Sequence, residues 1–281
     1  MKHEPWTPST IVNLARYPVA DLANPAARAV IAEGRAQLAR NGLCLLPDFV
    51  TPAALAAMAT EGNALQAEAY HEESWRRGSD IREGALHRPM RNACAAIAYD
   101  RLGAGSPSRI LYEWDSLAGL FRELLGVPAW HRCADPISSC LLMYYGDDDE
   151  LGWHFDPNDG VVTLLLQSAS TGGDFEFAPG VGRENAAYDG IMDGGREGVL
   201  TPDIRPGTLS LFRGKNALHR VTPTADPRRR IMLTMSVHEQ PGWLFSQENR
   251  RRYSGRIVDD QGRTLGIATK SSSPLEAAPY A

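Results

Sequence analysis

Cysteine is scarce in this chain: Cys44, Cys94, Cys133 and Cys140 are the only four among 281 residues, and no CxxC pair occurs. That spacing suggests neither a zinc ribbon nor a disulfide framework, and each thiol reads as a small buried apolar side chain in a reducing compartment. Long apolar runs are also missing. Nowhere do about 18 uncharged apolar residues follow one another, so no segment reads as a membrane span. The opening MKHEPWTPSTIVNL has no signal-peptide core, and the cytoplasm is the expected compartment. Positive charge is in deficit, 29 Lys and Arg against 34 Asp and Glu for a net −5. Neither nucleic acid nor an anionic membrane is therefore an expected partner, whereas a small-molecule substrate fits.

What is present is an ordinary globular composition, 43% hydrophobic and 22% charged, on a chain long enough to bury a large core. Two regimes divide it. NPAARAVIAEGRAQLAR (24–40) has apolar residues at helical spacing, Pro25 just inside its start and Gly42 just past its end. LCLLPDFV (43–50) reads as a short strand. TPAALAAMATEGNALQAEAYHEE follows as a second long helix, with Thr51 as its cap and Pro52 in the first turn. RNACAAIAYDRL (91–102) and SLAGLFRELLG (116–126) supply two further helical segments. After Pro128 come short apolar runs separated by Gly, Pro and Asp: SSCLLMYYG, VVTLLLQ, GGDFEF, GTLSLFRG and RIMLTMSVHE. Such spacing predicts a β-sandwich or barrel. The expected organisation is one catalytic domain over 1–281, with a helical support region (1–127), a strand-rich core (128–240) and a C-terminal extension (241–281). Residues 178–203, polar and without a periodic core pattern, read as an excursion over the barrel mouth. The basic stretch ENRRRYSGR reads as an exposed helix or loop.

GWHFDPND places His154 and Asp156 two residues apart. On a strand, alternation would point both to one face, where an imidazole nitrogen and a carboxylate oxygen can share an ion. His219, in LFRGKNALHRVTP, is the third ligand offered. Two histidines and one carboxylate leave half of an iron's coordination positions open, the arrangement of the non-haem Fe(II) oxygenases.

HFD, GGDFEF, PGTLSLFRGKNALHRVTP and RRRIMLTMSV, in that order, resemble the Fe(II)- and 2-oxoglutarate-dependent dioxygenases. The resemblance implies an α+β fold: a double-stranded β-helix (jelly roll, cupin-like) core with flanking N-terminal helices. It also implies Fe(II), the co-substrate 2-oxoglutarate and O2, with His154, Asp156 and His219 as both metal ligands and catalytic centre. An arginine about ten residues after the distal histidine is expected to anchor the far carboxylate of 2-oxoglutarate. Arg230, opening RIMLT, is the expected one, with Arg229 as the alternative, helped by Tyr144 or Tyr145 and by Thr163.

WHFD, VTLLLQ, GGDFEF, LFRGKNALHRVTP and RNACAAIAYDRL resemble more closely the lysine hydroxylases and amino-acid radical halogenases of that superfamily. The halogenases carry glycine where the hydroxylases keep the aspartate, so Asp156 points to hydroxylation of a free amino acid with release of succinate and CO2. The alternative keeps the cofactors but acts as a desaturase or epimerase, or on a carrier-tethered or natural-product substrate. Arg91 is the expected clamp for a substrate carboxylate, Asp159 an acceptor for its amine, and Thr234 and Ser236 further substrate contacts from the final strand. Trp153 and Trp243 are expected to wall the pocket. A homodimer is compatible with this reading.

Overall fold

The computed structural model describes residues 4–76, 90–156, 161–182, 184–225 and 228–268. A short helix α1 (Pro8–Ile11) precedes α2 (Pro25–Asn41). The Asn24 side chain accepts the Ala26 N–H at the start of α2, and Gly42 ends it at φ 78°, a left-handed conformation that glycine adopts without steric cost. Next come β1 (Leu43–Leu46) and α3 (Pro52–Leu65), whose first turn is capped by the Thr51 hydroxyl accepting from Ala54 N–H. β2 (Tyr70–Arg76), β3 (Met90–Ile97), α4 (Pro107–Glu113) and α5 (Asp115–Leu125) complete the N-terminal half. The second half contains β4 (His131–Arg132), β5 (Cys140–Tyr145), β6 (Glu150–His154), β7 (Val161–Gln167), β8 (Phe175–Ala178), α6 (Ala186–Met192), β9 (Leu209–Phe212), β10 (Leu218–Val221) and β11 (Arg230–His238). Helix α7 (Gln247–Ser254) and the hairpin β12 (Arg256–Val258) and β13 (Thr264–Ile267) follow.

Eleven strands form one sheet in the order β1-β9-β7-β11-β5-β3-β6-β10-β8, with β2 paired to β3 and β4 to β11. Its pairings are antiparallel. The sheet curls on itself: the Phe175 ring of β8, at one end of the order, lies 5.1 Å from the Phe212 ring of β9, near the other. This is the expected double-stranded β-helix with flanking helices.

Alternation along β11 explains the two cores. Ile231, Leu233 and Met235 face outward with Leu142, Tyr144 and Leu164, packing with Ile31, Phe49, Met58 and Phe121 of the N-terminal half. Met232 faces inward with Leu141, Met143, Tyr145, Leu165 and Cys94. A fully buried Leu or Ile contributes about 1.5–3 kcal/mol relative to exposure, so the helices are held by the sheet's outer face rather than by helix propensity. All four cysteines are free and buried, as expected. No described helix is long and apolar enough to cross a membrane.

Four sequence expectations need correction. The second long helix ends at Leu65, and the following residues form β2. RNACAAIAYDRL is not a helix but β3 followed by a 3-10 turn at Tyr99–Arg101. Its alanines favour helix in isolation; here Ala95 and Ile97 join the outer core while Cys94 and Ala96 join the inner one, and burial on both faces overrides propensity. The 178–203 excursion carries α6, whose Tyr188, Ile191 and Met192 build a small core with Trp153 and Leu218. ENRRRYSGR lies largely on α7, and Arg250 within it is among the most deeply buried side chains of the protein.

Candidate metal centre

His154 and His219 meet because β6 and β10 pair antiparallel with those two residues opposite one another. The next pair is Val221 with Leu151, so β6 spends one residue more than β10 over this interval. Such a bulge re-aims a side chain, and here it turns His154 inward beside His219, with ring centroids 4.1 Å apart. Asp156 lies past the end of β6, where its N–H donates to the Gly214 carbonyl at 3.1 Å. A hydrogen bond to the loop before β10, rather than strand alternation, therefore brings the carboxylate in.

The geometry is that of an ion-binding group. Asp156 Oδ1 is 3.4 Å from His154 Nε2, and Oδ2 is 3.3 Å from His219 Nε2. One ligand atom from each residue lies within 4.8 Å of the others. His154 Nδ1 is 2.8 Å from the Gly152 carbonyl and His219 Nδ1 2.8 Å from the Ala217 carbonyl. Each Nδ1–H donates to its carbonyl, which leaves each Nε2 lone pair facing the carboxylate, as in metal-ligating histidines. Asp156 Oδ2 is buried without a hydrogen-bond donor. Burial and the neighbouring His219 ring lower the pKa of His154 and favour its neutral form. Burial alone would raise the Asp156 pKa, but the two imidazoles outweigh it and hold the carboxyl well below the usual range. Three electron-pair donors thus face one another in a space that suits a divalent cation.

Gly214 makes room for this carboxylate: a Cβ there would lie 1.9 Å from Asp156 Oδ2. Gly214→Ala must displace Asp156. It is expected to lower Fe(II) affinity by about 10–100-fold, the range for residues that orient a metal ligand; unchanged affinity in a calorimetric titration would refute this role.

Arg230 opens β11 directly opposite Tyr145 and faces inward. It is 3% exposed, its guanidinium carbon lies 5.3 Å from the Tyr145 ring centre, and it has no carboxylate partner among the described residues. Burial lowers its pKa. It lines a recess of about 190 Å³ with Ser168, Phe175, Ile204 and the carboxylates Asp174 and Asp203, of which Asp174 acts on its charge without an ion pair, and the Phe175 ring is 5.9 Å from that of His219. The recess therefore adjoins the triad. Arg229 lies instead against Gly146, its guanidinium carbon 3.3 Å from where a Cβ there would stand. The Tyr144 hydroxyl donates to the Gly62 carbonyl on α3 and faces away. Thr163 and Thr234 are register partners on the inner face, and Ser236 lies further along it.

Other expected residues lie elsewhere. Arg91 is turned to the opposite face of β3 from Asn92 and bonds Glu73 at 2.9 Å, the Asp148 carbonyl, and the Asp148 carboxylate at 3.3 Å. The structure does not bring it to the triad. The residue of β3 that does face inward there is Asn92, whose Oδ1 accepts the Gly152 N–H at 3.1 Å. Asp159 falls outside the described residues. Trp153 packs beneath α6 with the Arg220 guanidinium 4.8 Å from its ring centre, and Trp243 stacks on His238 at 4.6 Å. Sequence reasoning passed over Asn92, Gly214 and the inward-facing Tyr253 of α7. Gly214 alone left a signal, as the glycine between a strand and the distal histidine.

The curled sheet and the convergent His, Asp and His side chains define the fold class of the 2-oxoglutarate, Fe(II) oxygenases. The epimerase SnoN from nogalamycin biosynthesis, described as non-haem and α-ketoglutarate-dependent, is similar in structure, with a TM-score of 0.55, 16% identity and coverage of 86% of this chain and 96% of its own. AviO1 from Streptomyces viridochromogenes Tue57 has a TM-score of 0.52 and 15% identity, covering 75% and 96%. EctD from S. alaskensis has a TM-score of 0.50 and 18% identity, covering 87% and 85%. At such identities the shared property is the fold. No curated protein sequence matches. The family described as HalD, Halogenase D, matches residues 26–244, and the chain belongs to that family.

Proposed function

We propose that the protein is an Fe(II)- and 2-oxoglutarate-dependent oxygenase that hydroxylates an unactivated C–H bond of a free amino acid, releasing succinate and CO2. The observation that carries this reading is the pairing of a ready three-ligand group with a buried arginine that forms no ion pair among the described residues, in the adjoining recess. An unpaired buried charge is expensive, so Arg230 calls for an anion, and a planar guanidinium suits a carboxylate. Iron and 2-oxoglutarate, when bound, supply an oxidant generated from dioxygen that replaces hydrogen on carbon by hydroxyl.

The chain's own part is positional. His154, Asp156 and His219 hold one side of the ion, the Gly152 and Ala217 carbonyls fix both imidazole tautomers, and Arg230 orients the co-substrate. The apolar side chains of the inner core keep water from the reacting carbon. Within a family described as halogenases, Asp156 favours hydroxylation, because a carboxylate fills the place that a metal-bound halide needs.

The test is succinate release with Fe(II), 2-oxoglutarate and each of the twenty amino acids. Stimulation by one of them, with a product heavier by one oxygen, supports the proposal. Loss of two hydrogens indicates desaturation instead, and no succinate with any substrate refutes the oxygenase reading. Arg230→Ala is expected to raise the KM for 2-oxoglutarate by about thirtyfold or more, the scale for removing one member of a buried charge pair. Arg230→Lys should recover part of that loss, and an unchanged KM would assign the anchor elsewhere.

A further inference from the structure

Two carboxylate-bearing molecules enter the proposed reaction, and Arg230 meets only one of them. We propose that Arg252, on α7, binds the carboxylate of the amino-acid substrate, an assignment that rests on the oxygenase reading above. Helix α7 packs on β2 and β3, where Tyr253 joins the inner core with Cys94, Met143 and Tyr145.

The neighbouring arginines are already matched: Arg250 to Asp135 at 2.7 Å, Arg251 to Glu72 at 3.2 Å, Arg256 to Asp100 at 2.7 Å and Arg91 to Glu73 at 2.9 Å. Arg252 has no carboxylate partner among the described residues, and its Nε is buried without an acceptor. Its guanidinium carbon lies 5.6 Å from the Tyr253 ring centre. Burial raises the pKa of the Tyr253 hydroxyl, Arg252 opposes that rise, and the charge of Asp156 adds to it. Tyr253 thus packs in the same inner core as Tyr145, the register partner of Arg230.

Two further observations point to a ligand here. Ser74 Oγ, on β2 opposite Asn92, is buried without a hydrogen-bond partner, and so is Asn249 Oδ1. Asn249, Arg252 and Tyr253 share one helix face by their spacing of three and four residues. A guanidinium whose Nε has no acceptor and a hydroxyl without a partner, together with a carbonyl oxygen without a donor, complement a zwitterion: carboxylate to Arg252 and Ser74, ammonium to Asn249. Glu72, engaged by Arg251 and by the Tyr70 hydroxyl, does not compete for the cation.

Calorimetry on protein loaded anaerobically with Fe(II) and 2-oxoglutarate, titrated with the twenty amino acids and the α-carboxamide of each binder, tests the assignment. The wild type is expected to bind at least one amino acid about tenfold or more tighter than its amide. Arg252→Ala should weaken the acid by about thirtyfold and bring acid and amide close together, with 2-oxoglutarate affinity unchanged. Arg252→Lys should recover part of the acid preference. Retention of the wild-type preference by Arg252→Ala overturns the proposal, as does parallel loss of 2-oxoglutarate binding, which would mark a structural role. Wild type that forms succinate with other substrates yet binds no amino acid also overturns it, whereas wild type that forms no succinate at all refutes the oxygenase reading itself.

Discussion

Replacing Asp156 by glycine is expected to abolish substrate-coupled hydroxylation, by about three orders of magnitude or more. Residues that only orient a ligand cost 10–100-fold when removed, and Asp156 is one of three groups in direct position to bind the ion. The change need not disturb the fold. Asp156 bonds the Gly214 carbonyl through its backbone N–H, which glycine keeps, and among the described residues its side chain faces the two imidazoles and Gly214. The vacated volume lies beside Gly214, which has no side chain to collapse into it. An added halide would therefore have space beside the two imidazoles that would hold the ion, and a chlorinated product in the presence of chloride is the second expected result. Mass spectrometry of products with and without chloride reads both. Full hydroxylase activity in this variant would remove Asp156 from the ligand set and with it the proposed centre.

Much of this centre was legible in the sequence. His154, Asp156 and His219 meet in space, and parity along β11 puts Arg230 on the inner face with Met232 and the opposing Tyr145. The reason given for Asp156 was incomplete. Two-residue alternation would have served on a continuing strand, but β6 stops at His154 and a bulge precedes it. Neither feature has a sequence mark that periodicity detects. The outer helices were legible for a local reason: Asn24 with Pro25 and Gly42, and Thr51 with Pro52, are caps that act within one turn.

β2 and β3 were not legible, because their conformation is imposed from outside. Ala93, Cys94, Ala95 and Ala96 are small enough to be covered on both faces, and only the assembled sheet shows that a strand is needed there. The same cause decides which way Arg91 points. On a helix end it would have been free to turn toward the site; on a strand, alternation sends it away while Asn92 turns in, and Glu73 on the paired strand captures it. Arg252 stands out only once Arg250, Arg251, Arg256 and Arg91 around it have been matched to their acids.

Arg250→Met is expected to be the most destabilising single change in the C-terminal extension. The side chains of Arg250 and Asp135 are 1% and 0% exposed, with Nε to Oδ2 at 2.7 Å. Asp135 also accepts the backbone N–H groups of Ile137, Ser138 and Phe245, and Arg250 reaches Asp260 at 2.9 Å. The pair thus joins the segment before β5 to both ends of the α7 region. Removing one partner of a buried pair leaves an uncompensated charge and costs about 3–5 kcal/mol, which in a protein of this size lowers Tm by about 10 °C. Arg250→Lys keeps the charge but not the fork, and should fall between wild type and Arg250→Met in thermal denaturation. Because α7 also carries Arg252 and Tyr253, amide exchange over residues 247–258 should quicken in Arg250→Met, and affinity for the amino acid should drop before affinity for 2-oxoglutarate, whose arginine sits on β11. A melting temperature within 2 °C of wild type, on the scale of a single kcal/mol, would show that this pair does not hold the helix in place.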